Sequence, residues 1–254
     1  MLRSTKLITH SNLKTPIVEA YKILRTNIQF SSLDKPLQTI LITSSGPSEG
    51  KSTISSNLAI TMAQSEFRVL LVDCDFRKPA LHRAFNLINA RGLTNILAEH
   101  LDYKTFANEV GVPNLDVITS GPKPPNPSEL LGSQRMQDFL AEVKKDYDII
   151  ILDTPPVVPV TDAAVLSRIA DGVLLVTAYG RTTYEMAAKA KDNLQKVNAN
   201  ILGVVINSVP TQGNTYYYYY YYEESPDGKT RRKKVRRSTS YYADIHSTDG
   251  RQQG

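Results

Sequence analysis

Thr39-Ile-Leu-Ile-Thr-Ser-Ser-Gly-Pro-Ser-Glu-Gly-Lys-Ser-Thr53 is the stretch on which the fold turns. Thr39 to Thr43 is apolar and β-branched, the pattern of a short buried strand. Ser44 to Gly50 is rich in small and turn-forming residues and reads as a loop. From Lys51 to Gln64 the spacing of Ile54, Leu58 and Met62 predicts a helix with one apolar face. A strand, a small-residue loop and a helix opening on Gly-Lys-Ser form the context of a phosphate-binding loop. Small residues let backbone N–H groups close around an anion, and the helix N-terminus adds partial positive charge.

Further strand and helix signals alternate on either side. The apolar positions Ile17, Tyr21, Leu24 and Ile28 predict a helix over 17–30, which Pro36 closes off. Val69 to Val72 reads as a buried strand ending at Asp73, and Pro79 can open a short helix. Leu115 to Thr119 is a weak strand, followed by a proline-rich loop from Gly121 to Pro127. Ser128 is the expected N-cap of a helix through Leu131 to Lys145. Strands over 149–152, 173–177 and 201–206 then alternate with helices over 161–170 and 183–197. Continuous apolar strands separated by amphipathic helices specify an α/β fold: a doubly wound, mostly parallel sheet of P-loop type with helices on both faces.

Composition sets the outer limits. A chain of 254 residues accommodates one sizeable α/β domain with about forty residues over. We divide it into an N-terminal segment (1–36), a P-loop domain (37–210) and a Tyr-rich, basic tail (211–254) with the composition of a disordered segment. No apolar run reaches the roughly 18 residues of a membrane span, and the first ten residues lack the apolar core of a secretory signal. One cysteine, Cys74, excludes an internal disulfide and fits a reducing cytoplasm. From Tyr216 onward 8 Lys/Arg face 5 Asp/Glu, so the net charge of +5 leaves the core only +2. That balance argues against nucleic acid as a partner.

Three strand ends carry the chemistry. In the loop, Ser45, Gly46, Pro47, Ser48, Glu49, Gly50, Lys51, Ser52 and Thr53 are the expected phosphate cradle. Ser45 stands where the motif's first glycine usually falls. Lys51 would reach the β- and γ-phosphates, and the Ser52 hydroxyl would ligate Mg²⁺. Asp73 and Asp75 lie two apart where a buried strand ends, the edge at which doubly wound sheets bind ligands. One would serve the metal and the other a proton; turn capping is the plain alternative. A third strand ends in Asp153-Thr-Pro-Pro156, the position from which an aspartate holds Mg²⁺ in phosphate-loop enzymes. Together these predict ATP and Mg²⁺ as ligands. We expect Asp75 and Asp153 at the metal and Asp73 at the incoming hydroxyl, with an exchange of roles between Asp73 and Asp75 left open. Arg77 would contact phosphate or pair with an acidic neighbour.

The tail supplies an acceptor. Of fourteen tyrosines, seven are consecutive: Tyr216, Tyr217, Tyr218, Tyr219, Tyr220, Tyr221 and Tyr222. Tyr241 and Tyr242 follow the basic run from Arg231 to Arg237. A row of phenols tethered to a phosphate-handling domain reads as its substrate. The nine steps from Asn207 to Tyr216 span roughly 30 Å when extended, enough to enter this site or a neighbour's.

These motifs resemble the bacterial tyrosine kinase (BY-kinase) family, the autokinases of capsule and exopolysaccharide production. The matching segments are Ser45–Ser52, Val69–Asp75, Ile149–Pro156 and the tyrosine tail. The resemblance implies an ATP-dependent protein-tyrosine autokinase that modifies a neighbour's tail within a ring-shaped homo-oligomer, an octamer among the sizes envisaged. It also implies a separate transmembrane activator of the polysaccharide co-polymerase type, and hence a cytoplasmic protein held at the membrane by its partner. Other proteins bearing tyrosine would be further substrates. Asn207 resembles the superfamily's adenine-contacting asparagine; capping of its strand end is the alternative. Glu19, Lys22 and Arg25 match the family's oligomerisation pattern, with Lys22 in place of its first arginine; an exposed helix face with i, i+3 pairs is the alternative. Positioning ATPases of the wider superfamily carry a lysine where this chain has Gly46, and a scaffold ATPase without tyrosine transfer is the second reading.

Overall fold

The computed structural model describes Leu7 and residues 16–31 and 37–210; the predicted acceptors Tyr216 to Tyr222 lie outside them, as do Tyr241 and Tyr242. Its centre is β1 (Thr39–Ser44), buried at every position, with β5 (Ile149–Asp153) on one side and β6 (Gly172–Ala178) on the other. β2 (Val69–Asp73) pairs with β5, β4 (Leu115–Ile118) with β2, and β7 (Ile201–Asn207) with β6, all parallel. The short β3 (Asn108–Glu109) adds an antiparallel edge, giving the order β3-β4-β2-β5-β1-β6-β7. The expected doubly wound sheet is therefore present. Parallel register brings the carboxyl ends of β1, β2 and β5 to one edge, where the three motifs stand.

Each face of the sheet is covered. On one face α1 (Pro16–Phe30), α2 (Lys51–Ala63) and α3 (Leu81–Ala84) bury Tyr21, Ile28, Leu58 and Leu81 against Ile40, Ile42 and Leu71. On the other, α4 (Leu93–Glu99), α5 (Pro127–Leu131), α6 (Gln134–Val143), α7 (Asp162–Ser167) and α8 (Tyr184–Gln195) cover Leu41, Leu70, Leu152 and Leu175. Fully burying one such aliphatic side chain is worth about 1.5–3 kcal/mol. Strands sheltered on both faces have no need of a polar alternation.

Several local expectations shift. The first helix buries Val18 rather than Ile17, which is 61% exposed, while its Tyr21 and Ile28 join the core that α2 also lines. α2 is buried almost all round, including Ser55, Ser56, Asn57 and Thr61, since α1 covers the face that amphipathicity assigned to solvent. Its small hydroxyls remain satisfied: Ser56 Oγ donates to the Ser52 carbonyl at 2.7 Å and Thr61 Oγ1 to that of Asn57 at 2.7 Å.

The helix predicted after Ser128 is two helices. Ser128 lies inside α5, and the break falls at Gly132-Ser133, where the Ser133 side chain caps α6 by accepting from the Met136 N–H. A Cβ at Gly132 would stand 2.8 Å from Val165 Cγ1, so close packing of α5 on α7 fixes the break. Sequence periodicity also missed α4 and β3, both short.

Candidate functional site

The loop between β1 and α2 is shaped by one left-handed residue. Gly50 has φ +92°, and a Cβ there would fall 2.0 Å from Asn207 Nδ2. Only glycine allows both the turn and that approach. As N-cap of α2, Gly50 brings no side chain to the first-turn N–H groups. These donors and the helix dipole stay open to an anion, as a phosphate cradle requires.

Glu49 braces the same loop. Its carboxylate is 5% exposed. It accepts hydrogen bonds from Ser45 Oγ at 2.7 Å, the Gly46 N–H at 3.0 Å and Thr182 Oγ1 at 2.5 Å. Asn207 Nδ2 donates to the Glu49 carbonyl at 3.0 Å, and Arg181 Nη1 to that of Ser48 at 3.3 Å. The segment joining β6 to α8 therefore straps the loop from outside. Sequence reasoning found Glu49 and Asn207 but missed Arg181 and Thr182, which sit more than 130 residues away and carry no motif of their own.

Lys51 extends beneath the loop to Asp75, with Nζ 2.8 Å from Oδ2. Burial works against its charge, but Asp153 and Asp75 more than offset this, and the pKa of the ammonium is raised. Asp75 Oδ1 accepts from the N–H groups of Arg77 and Lys78 at 3.2 and 2.9 Å. Asp73 Oδ1 accepts from the Asp75 N–H at 3.2 Å, and Oδ2 from those of Ala80 and Leu81 at 3.0 Å each. Both aspartates thus cap the turn that follows β2, and Asp75 does so while paired with Lys51.

Asp153 is register partner of Asp73 on the adjacent strand. Burial first, then the Asp153 charge, pushes the Asp73 carboxyl up to about 7, against the opposing N–H groups of Leu81 and Ala80. Burial likewise raises Asp153, opposed by Lys51 and Ser52. Its Oδ1 accepts from Ser55 Oγ at 3.0 Å. Its Oδ2 is buried and accepts no hydrogen bond of ordinary geometry. Three buried carboxylates thus face one ammonium, with an acceptor left over beside Ser52. That surplus of negative charge and the orphaned oxygen fit a hydrated Mg²⁺. Among the described residues no group of three or more His, Cys, Asp or Glu is arranged to hold a metal ion by itself.

Other assigned residues fall elsewhere. Arg77 chooses the acidic neighbour: Nε and Nη2 donate to Asp162 Oδ2 and Oδ1 at 2.6 and 3.1 Å. Lys22 Nζ pairs with Glu19 Oε1 at 2.7 Å along one face of α1. Arg25 turns inward, donating to Ser65 Oγ and, at 3.5 Å, to the Thr61 carbonyl of α2. Within one copy, then, Glu19 and Lys22 engage each other and Arg25 is committed to α2.

Comparisons with known proteins agree with this geometry. A family model described as ParA, NUBPL iron-transfer P-loop NTPase, matches residues 36–224. The tyrosine-protein kinase YwqD of Bacillus subtilis is 45% identical over 189 residues, covering 74% of this chain and 80% of the relative. The tyrosine-protein kinase CpsD of Streptococcus agalactiae is 38% identical, over 78% of this chain and 85% of the relative. The structure of the kinase domain of Escherichia coli tyrosine kinase ETK superposes with a TM-score of 0.77 at 36% identity, over 80% of each chain. The chain belongs to the bacterial tyrosine kinase family.

Membership makes sense of two departures from other P-loop proteins. Gly46 occupies the place of the positioning ATPases' lysine, and a Cβ there would sit 3.0 Å from Met186 Cε and 3.6 Å from Glu49 Oε1. A long side chain would displace the brace just described. This kinase also has a single cysteine, Cys74, wholly buried between Asp73 and Asp75. Burial, reinforced by the Asp73 charge, raises its thiol pKa well above the ordinary value, the opposite of what a metal-binding thiolate needs. Among the described residues no helix is long and apolar enough to cross a membrane.

Proposed function

We propose that this chain is an ATP-dependent protein-tyrosine autokinase whose first substrate is its own cluster from Tyr216 to Tyr222, acting in capsule or exopolysaccharide synthesis and export. The observation that carries the reading is the convergence of Lys51, Asp75, Asp73 and Asp153 beneath an open P-loop, in a chain that carries a row of seven tyrosines downstream of it.

Phosphoryl transfer asks a protein for position and charge stabilisation more than for covalent help. Bound Mg-ATP would supply the electrophilic γ-phosphorus and a divalent charge that offsets the phosphates. The loop N–H groups from Gly50 to Thr53 hold the phosphates, and Lys51 leaves Asp75 to contact them. Ser52 and Asp153 would hold the metal, and Asp75 would support it directly or through water. Asp73 orients the phenol and takes up its proton. A carboxyl poised near neutrality suits this better than one at the usual carboxylate value, and a phenol with an ordinary pKa near 10 need not be ionised beforehand. The family resemblance assigns the adenine base to Asn207, whose side chain donates to the Glu49 carbonyl and accepts from the Ser208 N–H.

The family resemblance further supports a homo-oligomeric ring built through Glu19, Lys22 and Arg25, and a separate transmembrane activator that recruits the kinase to the membrane. An exposed i, i+3 pair such as Glu19–Lys22 is worth only a few tenths of a kcal/mol, so exchanging it for a neighbour's contacts costs little. Arg25 would have to leave Ser65. Consecutive tyrosines make acceptor choice insensitive to register.

The test is incubation of the full chain with Mg-ATP, followed by anti-phosphotyrosine detection and peptide mass spectrometry. Phosphate on Tyr216–Tyr222, abolished by Lys51→Ala, is expected. Replacing those seven tyrosines with Phe should remove most labelling and leave nucleotide binding intact. Hydrolysis of ATP with every tyrosine bare would instead make the chain a scaffold ATPase.

A further inference from the structure

Five tyrosines lie in the described residues, and three of them are spoken for. Tyr21 is buried and its hydroxyl accepts from Asn57 Nδ2 at 3.3 Å; Tyr103 donates to Asp146 and Tyr147 to Asp116 Oδ2 at 2.8 Å. Tyr179 and Tyr184 make no side-chain hydrogen bond and are 57% and 83% exposed. Tyr184 opens α8, held in place by Thr183, whose side chain caps the helix by accepting from the Met186 N–H. It is followed by Glu185, as Tyr222 at the end of the tail cluster is followed by Glu223.

We propose that Tyr184 is a second phosphoacceptor of this kinase, modified by another copy of the chain and acting on the P-loop that its own segment straps. This rests on the kinase reading above. The Tyr184 oxygen attacks the γ-phosphorus of ATP held by the other copy, and the bond to the bridging β–γ oxygen breaks. ADP leaves with the electron pair, and Asp73 of the acting site takes the phenol proton. Tyr184 is the better acceptor of the two free tyrosines because it projects from a helix start. Tyr179, by contrast, has its N–H tied to the Asn207 carbonyl at 2.9 Å between two strands.

The consequence follows from the neighbours. Three residues upstream, Arg181 reaches the Ser48 carbonyl, and two upstream, Thr182 holds Glu49. Two downstream, Met186 packs against Gly46. A phosphate of about −1.5 to −2 charges at this turn competes with Ser48 for Arg181 and sets negative charge near the triphosphate site. Modified Tyr184 therefore loosens the strap and weakens nucleotide binding.

Trypsin separates the two candidates, since Tyr179 falls in the peptide 169–181 and Tyr184 in 182–189. The full chain carrying Phe at 216–222, 241 and 242 is incubated with Mg-ATP beside the wild-type chain. Phosphate on peptide 182–189 is expected in both, at a rate per molecule that rises with protein concentration and is lost in Tyr184→Phe. In the Phe-tail chain, modification should weaken ATP-analogue binding about three- to tenfold, with the gap closing at high salt; Tyr184→Phe should bind alike before and after incubation. A wild-type chain with a labelled tail and a bare 182–189 peptide overturns the assignment and leaves the kinase reading standing. A chain that labels no tyrosine overturns both. Labelling of Tyr184 with unchanged nucleotide affinity overturns its action on the P-loop.

Discussion

Lys51 Nζ lies 2.8 Å from Asp75 Oδ2, so the P-loop lysine is paired with the second carboxylate of the Asp-x-Asp strand. Both groups are largely buried, with side-chain exposures of 13% and 4%. The pair compensates two charges that burial would otherwise leave costly. Lys51→Ala is therefore expected to leave Asp75 uncompensated as well as to remove the phosphate contact. Asp75→Asn frees Lys51 early: binding of ADP without Mg²⁺ should strengthen, while phosphotyrosine formation falls by about 10²-fold or more. Isothermal titration with and without Mg²⁺, beside a transfer assay, separates the two effects.

Gly50 and Asn207 form the second testable contact. Gly50→Ala must place a methyl group on Asn207 Nδ2 at a positive φ. Nucleotide binding should fall sharply, and stability should drop by about 1 kcal/mol or more. Adding Asn207→Ala removes the clash but not the backbone strain. The double variant should thus recover part of the stability in thermal melts; no recovery would mean that strain alone carries the cost.

Arg77 and Asp162 test which of the two sequence readings of Arg77 holds. Asp162 is 1% exposed and Arg77 37%, so removing the guanidinium strands a buried carboxylate. Arg77→Ala should destabilise by about 1–3 kcal/mol in urea denaturation. Asp162→Asn in the same chain should recover much of this, the signature of coupling in a double-mutant cycle. A large, selective loss of nucleotide affinity in Arg77→Ala would instead place the side chain at phosphate.

The acid limb of stability has an identifiable source at the opposite end of the sheet. Tyr103 and Lys104 lower the Asp146 pKa, and Arg68 lowers that of Asp148, from an ordinary value of 3.8. A depressed carboxylate contributes stability that is present above 3.8 and lost as pH falls through the lower folded value. Asp146→Asn with Asp148→Asn should therefore melt lower than wild type at neutral pH. The gap should close below about pH 3, followed by circular dichroism. Both groups are exposed, so the effect is modest.

Charge should also govern assembly. Each phosphotyrosine adds about −1.5 to −2 charges, so four on the tail would contribute roughly −6 to −8. That more than cancels the net charge of +5. Phosphorylation is expected to loosen the oligomer by repulsion, read as a drop in particle mass after Mg-ATP is added. An unchanged mass at high phosphate occupancy would refute this.

The sequence by itself determined the parallel sheet, the phosphate loop and the three carboxylates, because all of these are local. Apolar runs such as Ile149–Leu152 can be satisfied only inside a sheet covered on both faces, and a strand–loop–helix with Gly50-Lys51-Ser52 fixes its own chemistry. Tertiary structure alone decided the partners. Arg77 turned to Asp162, Arg25 to Ser65, and Thr182 and Asn207 to the loop at Glu49, each across dozens of residues of chain. It also decided that Ile17 faces solvent and that α2 is buried all round, since only the packing of α1 determines which helix face water can reach. Side-chain pairing over such separations depends on where the folded backbone delivers each group, and neither periodicity nor spacing encodes that.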